Sequence, residues 1–192
     1  MLAGVAEIAP GSDGLITLPY FAGERTPVND PLARGVLFGL TLSHTRAHLY
    51  RSALEGVGYS IAQQIARMRS HENVEINRII AVGGGTLNPV WMQMIADILG
   101  MPICSPEITL GACFGDAMMA ALAVKHPGFD SYDSLTRYIR EGTVYTPNPE
   151  HHRVYAKYQV LYDRLYPVTA ELAHGLASLA EQCIPIERTY AT

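Results

Sequence analysis

Little in this chain points to a disulfide framework, a metal centre or a membrane. Only three cysteines, Cys104, Cys113 and Cys183, occur in 192 residues, and none forms a Cys-x-x-Cys pair. An odd, widely spaced set makes neither a disulfide scaffold nor a tetrahedral zinc site, so reduced thiols are expected. No apolar run approaches the roughly 20 residues that span a bilayer. Met1 to Pro10 lacks the basic start and long apolar block of a signal peptide, which makes the cytoplasm the expected compartment. Basic residues are outnumbered 14 to 18, for a net charge of -4, and this argues against a nucleic-acid-binding face. Charged residues are only 17% against 48% hydrophobic, a balance that buries a core and excludes disorder.

Several catalytic and ligand-binding patterns are also missing. His44 and His48 stand four apart on a predicted helix, but no third ligand is near and His-Glu-x-x-His is absent. A surface or capping role is expected for both. His151-His152, beside Pro147-Asn148-Pro149, reads as a structural feature of a loop. No glycine cluster has the spacing of a dinucleotide fingerprint or a phosphate-binding P-loop, which argues against a dehydrogenase lobe.

What is present alternates between strand and helix patterns. Pro10 to Gly14 is a turn cluster, followed by a short strand at Leu15–Pro19. Phe21 to Gly35 is dense in Gly, Pro and charge and reads as an ordered loop. Glu24, Arg25, Asp30 and Arg34 are expected to fix that loop by pairing internally, the other option being that Arg25 faces phosphate. Ala47, Tyr50, Leu54, Val57, Ile61, Ile65 and Met68 recur at helical spacing, with Thr41 or Ser43 as cap and a polar face of His44, His48, Arg51 and Glu55. Glu55 is expected to bond within the helix or to the loop. Gly56 and Gly58 mark close packing against a neighbour.

Arg78–Val82 reads as a strand, Asn88-Pro89 as a helix start and Gly100 as its stop. Trp91, Ile95, Ile98 and Leu99 make that helix's apolar face. Met101–Ser105 is a further strand candidate. Gly111–Lys125 is a helix apolar nearly all round and so expected to be buried. Asp116 in its early turns suits the helix dipole, with magnesium or ribose contact as the alternative. Residues 150–180 read as helix, with a tyrosine stripe from Tyr155 to Tyr166 expected in the core and a kink or break at Pro167. The whole is a layered α/β pattern with no repeat and no linker.

Strand, Gly83-Gly84-Gly85, then a helix start at Asn88 is a useful order. Glycine lets a flat ligand approach the backbone, helix N-termini favour electron-rich groups, and an asparagine both donates and accepts. By itself the same order also describes an ordinary turn that needs glycine for its dihedrals.

Two extended stretches decide between these. Gly35-Val36-Leu37-Phe38-Gly39-Leu40, then seven residues, then His48-Leu49-Tyr50-Arg51-Ser52-Ala53-Leu54-Glu55 resembles the C-terminal signature of the FGGY carbohydrate kinases. Its lead-in, Pro19-Tyr20-Phe21-Ala22-Gly23-Glu24-Arg25-Thr26-Pro27 and Asp30-Pro31-Leu32-Ala33-Arg34-Gly35, is similar to that of xylulokinase-like members. Gly83 to Asp97, with Trp91, Gln93 and Ala96-Asp97, matches the family's adenosine motif, and Gly111-Ala112-Cys113-Phe114-Gly115-Asp116-Ala117 its following helix.

The resemblance implies the actin/hexokinase-like (ribonuclease H-like) ATPase fold and a nucleotide-binding, C-terminal lobe over 1–192. Gly84 and Gly85 would lie against the adenosine of ATP or ADP, Asn88 would contact the adenine and Gly83 would complete the turn. Gly111 and Ala112 would open the helix involved in lobe closure. Family members transfer the γ-phosphoryl of Mg²⁺-ATP to a sugar hydroxyl, with a catalytic aspartate expected upstream of this chain and Mg²⁺ ligands mostly outside it. The sugar would be bound mainly by an N-terminal lobe.

The chain is therefore expected to be a fragment of a two-domain kinase, lacking its sheet's first strands and not competent alone. No catalytic residue or metal ligand is assigned within it, and the exposed sheet edge makes a homodimer an expectation. The lead-in leans towards xylulose-like ketoses without excluding gluconate, ribulose, fuculose or other polyols. The competing reading is a non-catalytic actin-fold module that binds a nucleotide or a partner.

Overall fold

The computed structural model describes residues 4–72 and 74–183. The chain packs as two units, one formed by residues up to Arg67 together with those from Lys157 onward, the other by Met68–Ala156. The sequence reads as one domain over 1–192, and no linker separates the two units. The boundaries fall inside two long helices, which is why no Pro/Gly-rich signal marks them.

In the first unit, β1 (Ile16–Leu18) is buried throughout and pairs antiparallel with β2 (Val36–Phe38), Ile16 opposite Phe38. β2 was not read from the sequence as a strand, three residues being too short to show a period. α1 (Arg46–Glu72) begins later than expected. Its cap is Thr45 rather than Thr41 or Ser43. The Thr45 carbonyl accepts the Leu49 N–H at 3.2 Å, while the Thr45 N–H donates to His48 Nδ1 at 3.1 Å. The His48 side chain so takes the reciprocal part of a capping box. Thr41 N–H donates to His44 Nδ1 at 2.9 Å in the same manner. Both histidines therefore cap backbone.

The polar face of α1 is not its solvent face. Arg51, Ser52 and Glu55 are buried, and Glu55 is only 1% exposed. Glu55 accepts from Arg51 Nε at 2.8 Å, from the Gly11 N–H at 3.1 Å and from the Ser12 hydroxyl at 2.8 Å. Arg51 also donates to the Val5 carbonyl at 2.8 Å. Burial pushes the Glu55 carboxyl above its ordinary value, against the pull of the Arg51 guanidinium.

The turn this carboxylate grips is unusual. Gly11, Ser12, Asp13 and Gly14 all have positive φ, at 89°, 49°, 52° and 93°. Two of them carry a Cβ and are strained there by about 1–3 kcal/mol each. Glu55 offsets that strain by satisfying the turn's donors. A Cβ on Gly56 would lie 2.2 Å from the Thr17 carbonyl oxygen, so α1 approaches β1 as closely as only glycine allows.

The loop after β1 is tied by its own backbone. Glu24 and Asp30 exchange N–H···O bonds of 2.8 and 2.7 Å. The expected ion pairs among its charged residues are replaced by side chain-to-backbone bonds. Glu24 accepts from Thr26 N–H, Asp30 from Leu32 N–H, and Arg34 donates to the Pro31 and Ala33 carbonyls. Asp30 Oδ2 also accepts from Tyr166 at 2.8 Å and His174 at 2.6 Å. Over such a short span, backbone N–H groups lie nearer to these carboxylates than any guanidinium does.

α5 (Pro149–Cys183) continues through Pro167 without division. Tyr162 and Leu165 before it and Ala173 and Ala177 after it are all buried, so packing on both sides holds the helix in register. The tyrosine stripe lies in the core as expected at Tyr155 and Tyr162, with Tyr59 and Tyr162 rings 5.2 Å apart. Burial pushes the Tyr20 phenol up to about 12, so it stays neutral.

In the second unit the strand order is β3–β4–β5. β3 (Ile79–Ile80) runs parallel to β4 (Ile103–Ser105), which runs antiparallel to β5 (Thr143–Tyr145). β3 and β4 are joined through α2 (Pro89–Leu99), a βαβ crossover. α2 buries Met92, Met94, Ile95, Ala96 and Ile98 and stops at Gly100, in the left-handed conformation. α3 (Ala112–Ala123) departs from expectation, for none of its residues is buried. An all-round apolar helix can be buried, but its neighbours decide whether it is. A single turn, α4 (Tyr132–Leu135), carries a Ser131–Ser134 capping box. Cys104 and Cys113 are free thiols, and the Cys183 side chain lies outside the described residues.

Glu55→Ala should cost about 3–5 kcal/mol, because it leaves Arg51 buried and uncompensated; a urea midpoint close to wild type would contradict this role. Asp30 gives a pH signature. Its carboxyl is held down at about 2, first by the His174 hydrogen bond. A depressed carboxylate stabilises fully above its ordinary value of about 4 and loses that contribution as pH falls through the folded value. The stability gap between wild type and Asp30→Asn should thus be fully present near pH 4 and close between about pH 4 and 2, as followed by thermal melts.

Candidate nucleotide site

The end of β3 meets the segment after β4. Beyond the strand, Ala81 N–H donates to Cys104 O at 2.9 Å and Gly83 N–H to Thr109 O at 2.8 Å. The pairing carries the chain as far as Gly111, where a Cβ would stand 3.8 Å from Val82 Cγ2. Residues 83–88 and 111–112, distant in sequence, are thereby brought to one place.

Gly83 has φ 96° and ψ -179°, a conformation that favours glycine. Residues Gly84–Leu87 form a 3₁₀ turn, clamped by Thr86. Its N–H and hydroxyl both donate to the Gly83 carbonyl, at 3.2 and 2.7 Å. Thr86 is buried and was not singled out from the sequence. A threonine three residues after a glycine bend is the one signal that could have marked it.

Asn88 is the N-cap of α2, as expected. Its Oδ1 accepts the Trp91 N–H at 3.1 Å, and Pro89 takes the first helical position. Gly111, at φ 65°, precedes α3, and Ala112 is that helix's first residue.

The turn is open where a ligand would need it. A Cβ on Gly83 or on Gly84 would meet nothing within 4 Å, whereas one on Gly85 would lie 2.7 Å from the Trp91 ring. The two outer glycines form an open shelf and the third packs on the indole. Val82, Leu87 and Leu110, on the segments that build the shelf, are exposed at 54%, 79% and 72%. Apolar side chains beside bare backbone suit the face of a planar ring.

A cavity of about 530 Å³ lies elsewhere, in the first unit, lined by Gly14, Ile16, Phe38, Tyr158, Leu161 and Leu165 among others. Its size does not make it the site.

Other candidates have structural duties. Asp13 Oδ2 lies 3.0 Å from His48 Nε2, and the described residues contain no group of three His, Cys, Asp or Glu able to hold a metal ion. His151 and His152 are in the first turn of α5 rather than in a loop. They reach the Asp97 carboxylate at 2.8 Å and the Asp97 carbonyl at 2.9 Å. Asp97, 3% exposed, also accepts from Gln93 at 2.8 Å and from the Asn148 N–H at 2.8 Å. Gln93 donates in addition to Thr146 O. The Gln93–Asp97 pair thus ties α2 to the start of α5. Asp116 is exposed and sits one turn into α3.

Comparison with known proteins shows the family. Residues 1–124 match the model of the FGGY family of carbohydrate kinases, C-terminal domain. The chain belongs to that family. It is 32% identical over 185 residues to the xylulose kinase of Lactococcus lactis, covering 95% of this chain and 36% of the relative. It is 37% identical over 142 residues to the gluconokinase of Bacillus subtilis, covering 74% and 27%. The crystal structure of xylulose kinase from Rhodospirillum rubrum superposes with a TM-score of 0.73 at 34% identity, covering 88% of this chain and 33% of that one. Ligand-bound xylulose kinase from Lactobacillus acidophilus gives 0.76 at 27% identity, covering 86% and 34%. The fold is therefore the actin/hexokinase-like one of the sugar kinases, in its C-terminal part, and the chain spans about a third of the length of the curated relatives it matches.

The shelf's backbone requirements differ from glycine to glycine. Gly83→Ala should cost about 1–3 kcal/mol from its positive φ. Gly84→Ala should be nearly neutral. Equal losses in thermal melts would show that the two positions are not distinguished as described.

Proposed function

We propose that this chain is the ATP-holding lobe of a carbohydrate kinase that passes the γ-phosphoryl group of ATP to a hydroxyl of a ketose or polyol, with a xylulose-like ketose favoured. The observation that carries the reading is the open shelf at Gly83 and Gly84, set between the end of β3 and the capped start of α2. Adenosine would lie on Gly84 and Gly85, with Asn88 at its edge and Gly83 completing the turn. Gly111 and Ala112 would border it from the start of α3. The xylulose kinases among the relatives and the Gly23-Glu24-Arg25-Thr26-Pro27 lead-in support the sugar class.

Phosphoryl transfer needs positioning, charge neutralisation and a base acting together. In this proposal Mg²⁺ neutralises phosphate charge and is held mainly by residues beyond this chain, as are the sugar and the general base. The residues here bind and orient the nucleotide. Asp13 is not a candidate base, being held in a left-handed turn against His48. The intact enzyme would work in the cytoplasm; no described helix is long and apolar enough to cross a membrane.

A second reading, a partner-binding module, has one observation in its favour. Leu161, Val168, Leu172, Leu176 and Leu179 are each at least half exposed along α5. Self-association into a homodimer would cover such a stripe.

Trp91 reports on the site, since its ring lies against Gly85. ADP should change its fluorescence in the wild-type chain. Gly84→Leu should fold normally, because its side chain enters open space, and should abolish the change. A flat ADP titration of the folded wild-type chain would sink the nucleotide reading and leave the partner-binding one.

A further inference from the structure

We infer that two copies of this chain pair antiparallel through α5, the exposed second half of one helix lying in the apolar groove beside the first half of the other. The pairing does not depend on the nucleotide-site reading. It gives the exposed stripe on α5 a definite occupant.

Within the first unit, α5 carries a seven-residue repeat on the face that the groove borders. Tyr158, Leu165, Leu172 and Leu179 stand at one position of the repeat. Leu161, Val168 and Gly175 stand three residues after the first three of them. Apolar residues alternating at steps of three and four form the seam of a two-stranded coiled coil. Leu161, Val168, Leu172 and Leu179 are each at least half exposed, so this seam is present and uncovered. The 530 Å³ cavity follows the same face. Tyr158, Leu161, Leu165 and Val168 line it from α5, and Ile16 and Phe38 from the two strands. Beyond it the helix stands clear, for between Glu171 and Ala180 only Ala173 and Ala177 are buried.

Charge along the seam specifies a second copy and its direction. Lys157, Arg164 and Glu171 lie seven apart on one flank, and none of them makes an ion pair among the described residues. The flank is basic in the first half of the helix and acidic in the second. A parallel pair would set it against the uncharged Thr169 and Leu176 on the other flank. An antiparallel pair sets it against itself, basic half to acidic half.

One antiparallel register satisfies both size and charge. With the two-fold axis midway between Leu165 and Val168, Leu161 meets the partner's Leu172 and Val168 meets the partner's Leu165. Tyr158 meets the partner's Gly175, a position where a Cβ would have nothing within 4 Å in the single chain. The bulkiest seam residue thus faces the one without a side chain. In the same register Arg164 and the partner's Glu171 stand two residues, about 3 Å, from level along the axis. The two-fold axis makes that ion pair twice.

Sedimentation equilibrium tests the pairing. The wild-type chain should be a dimer at micromolar concentration. Leu172→Lys should be a monomer there and keep its helical circular dichroism, because Leu172 is exposed in the single chain. Arg164→Glu and Glu171→Arg should each raise the dimer dissociation constant by roughly tenfold, since each sets like charges together twice. The double reversal should return it to within about threefold of wild type, a rescue that only the antiparallel arrangement supplies. A monomeric wild-type chain would overturn the inference, as would a Leu172→Lys variant that still dimerises. Single reversals without effect, or a double reversal that is not rescued, would overturn it too. The ADP response of Trp91 in monomeric Leu172→Lys reads the nucleotide site separately, so either reading can fail without the other.

Discussion

The hydrogen bond from the Trp91 N–H to Asn88 Oδ1 is the interaction on which the candidate site depends. It closes the first turn of α2 and so sets where the βαβ crossover begins. It brings the indole of Trp91 under Gly85 and leaves Gly83 and Gly84 bare. It also decides which half of the Asn88 carboxamide faces outward. One bond between residues three apart thus links local helix initiation to the chemistry a ligand would meet. Only an Asx, Ser or Thr side chain makes such a cap well, and of these only asparagine also keeps a free amide donor.

Each unit is organised around one buried carboxylate. Glu55 gathers Arg51, Gly11 and Ser12 in the first unit. Asp97 gathers Gln93, Asn148 and His151 in the second. Burying a carboxylate costs several kcal/mol unless donors replace its lost water. In both cases the donors include a backbone N–H from a distant turn, so satisfying the carboxylate also fixes that turn. The left-handed run at residues 11–14 persists because Glu55 over-determines it. The start of α5 is fixed to α2 because Asp97 accepts from both.

Much of the site was legible because it is local. The Asn88-Pro89 start, the Gly100 stop and the Gly83 bend follow from dihedral preferences that each residue carries by itself. The clamp by Thr86 was missed because a buried hydroxyl bonded to a carbonyl three residues back looks like any threonine. The start of α1 was misplaced by four residues at most, since Thr41, Ser43 and Thr45 are all competent caps. Thr45 is distinguished by its carbonyl, which accepts the Leu49 N–H as the first helical bond.

The sequence by itself determined the family and the βαβ order around the glycine bend. These rest on short-range geometry and on a motif continuous along the chain. Tertiary structure alone decided which apolar and polar faces are buried. α3 is apolar and buries no residue, while α1 hides Arg51 and Glu55. Burial depends on what lies opposite a helix face, and that is set by long-range packing rather than by the face's own composition. It also decided the division into two units, because the boundaries run through continuous helices.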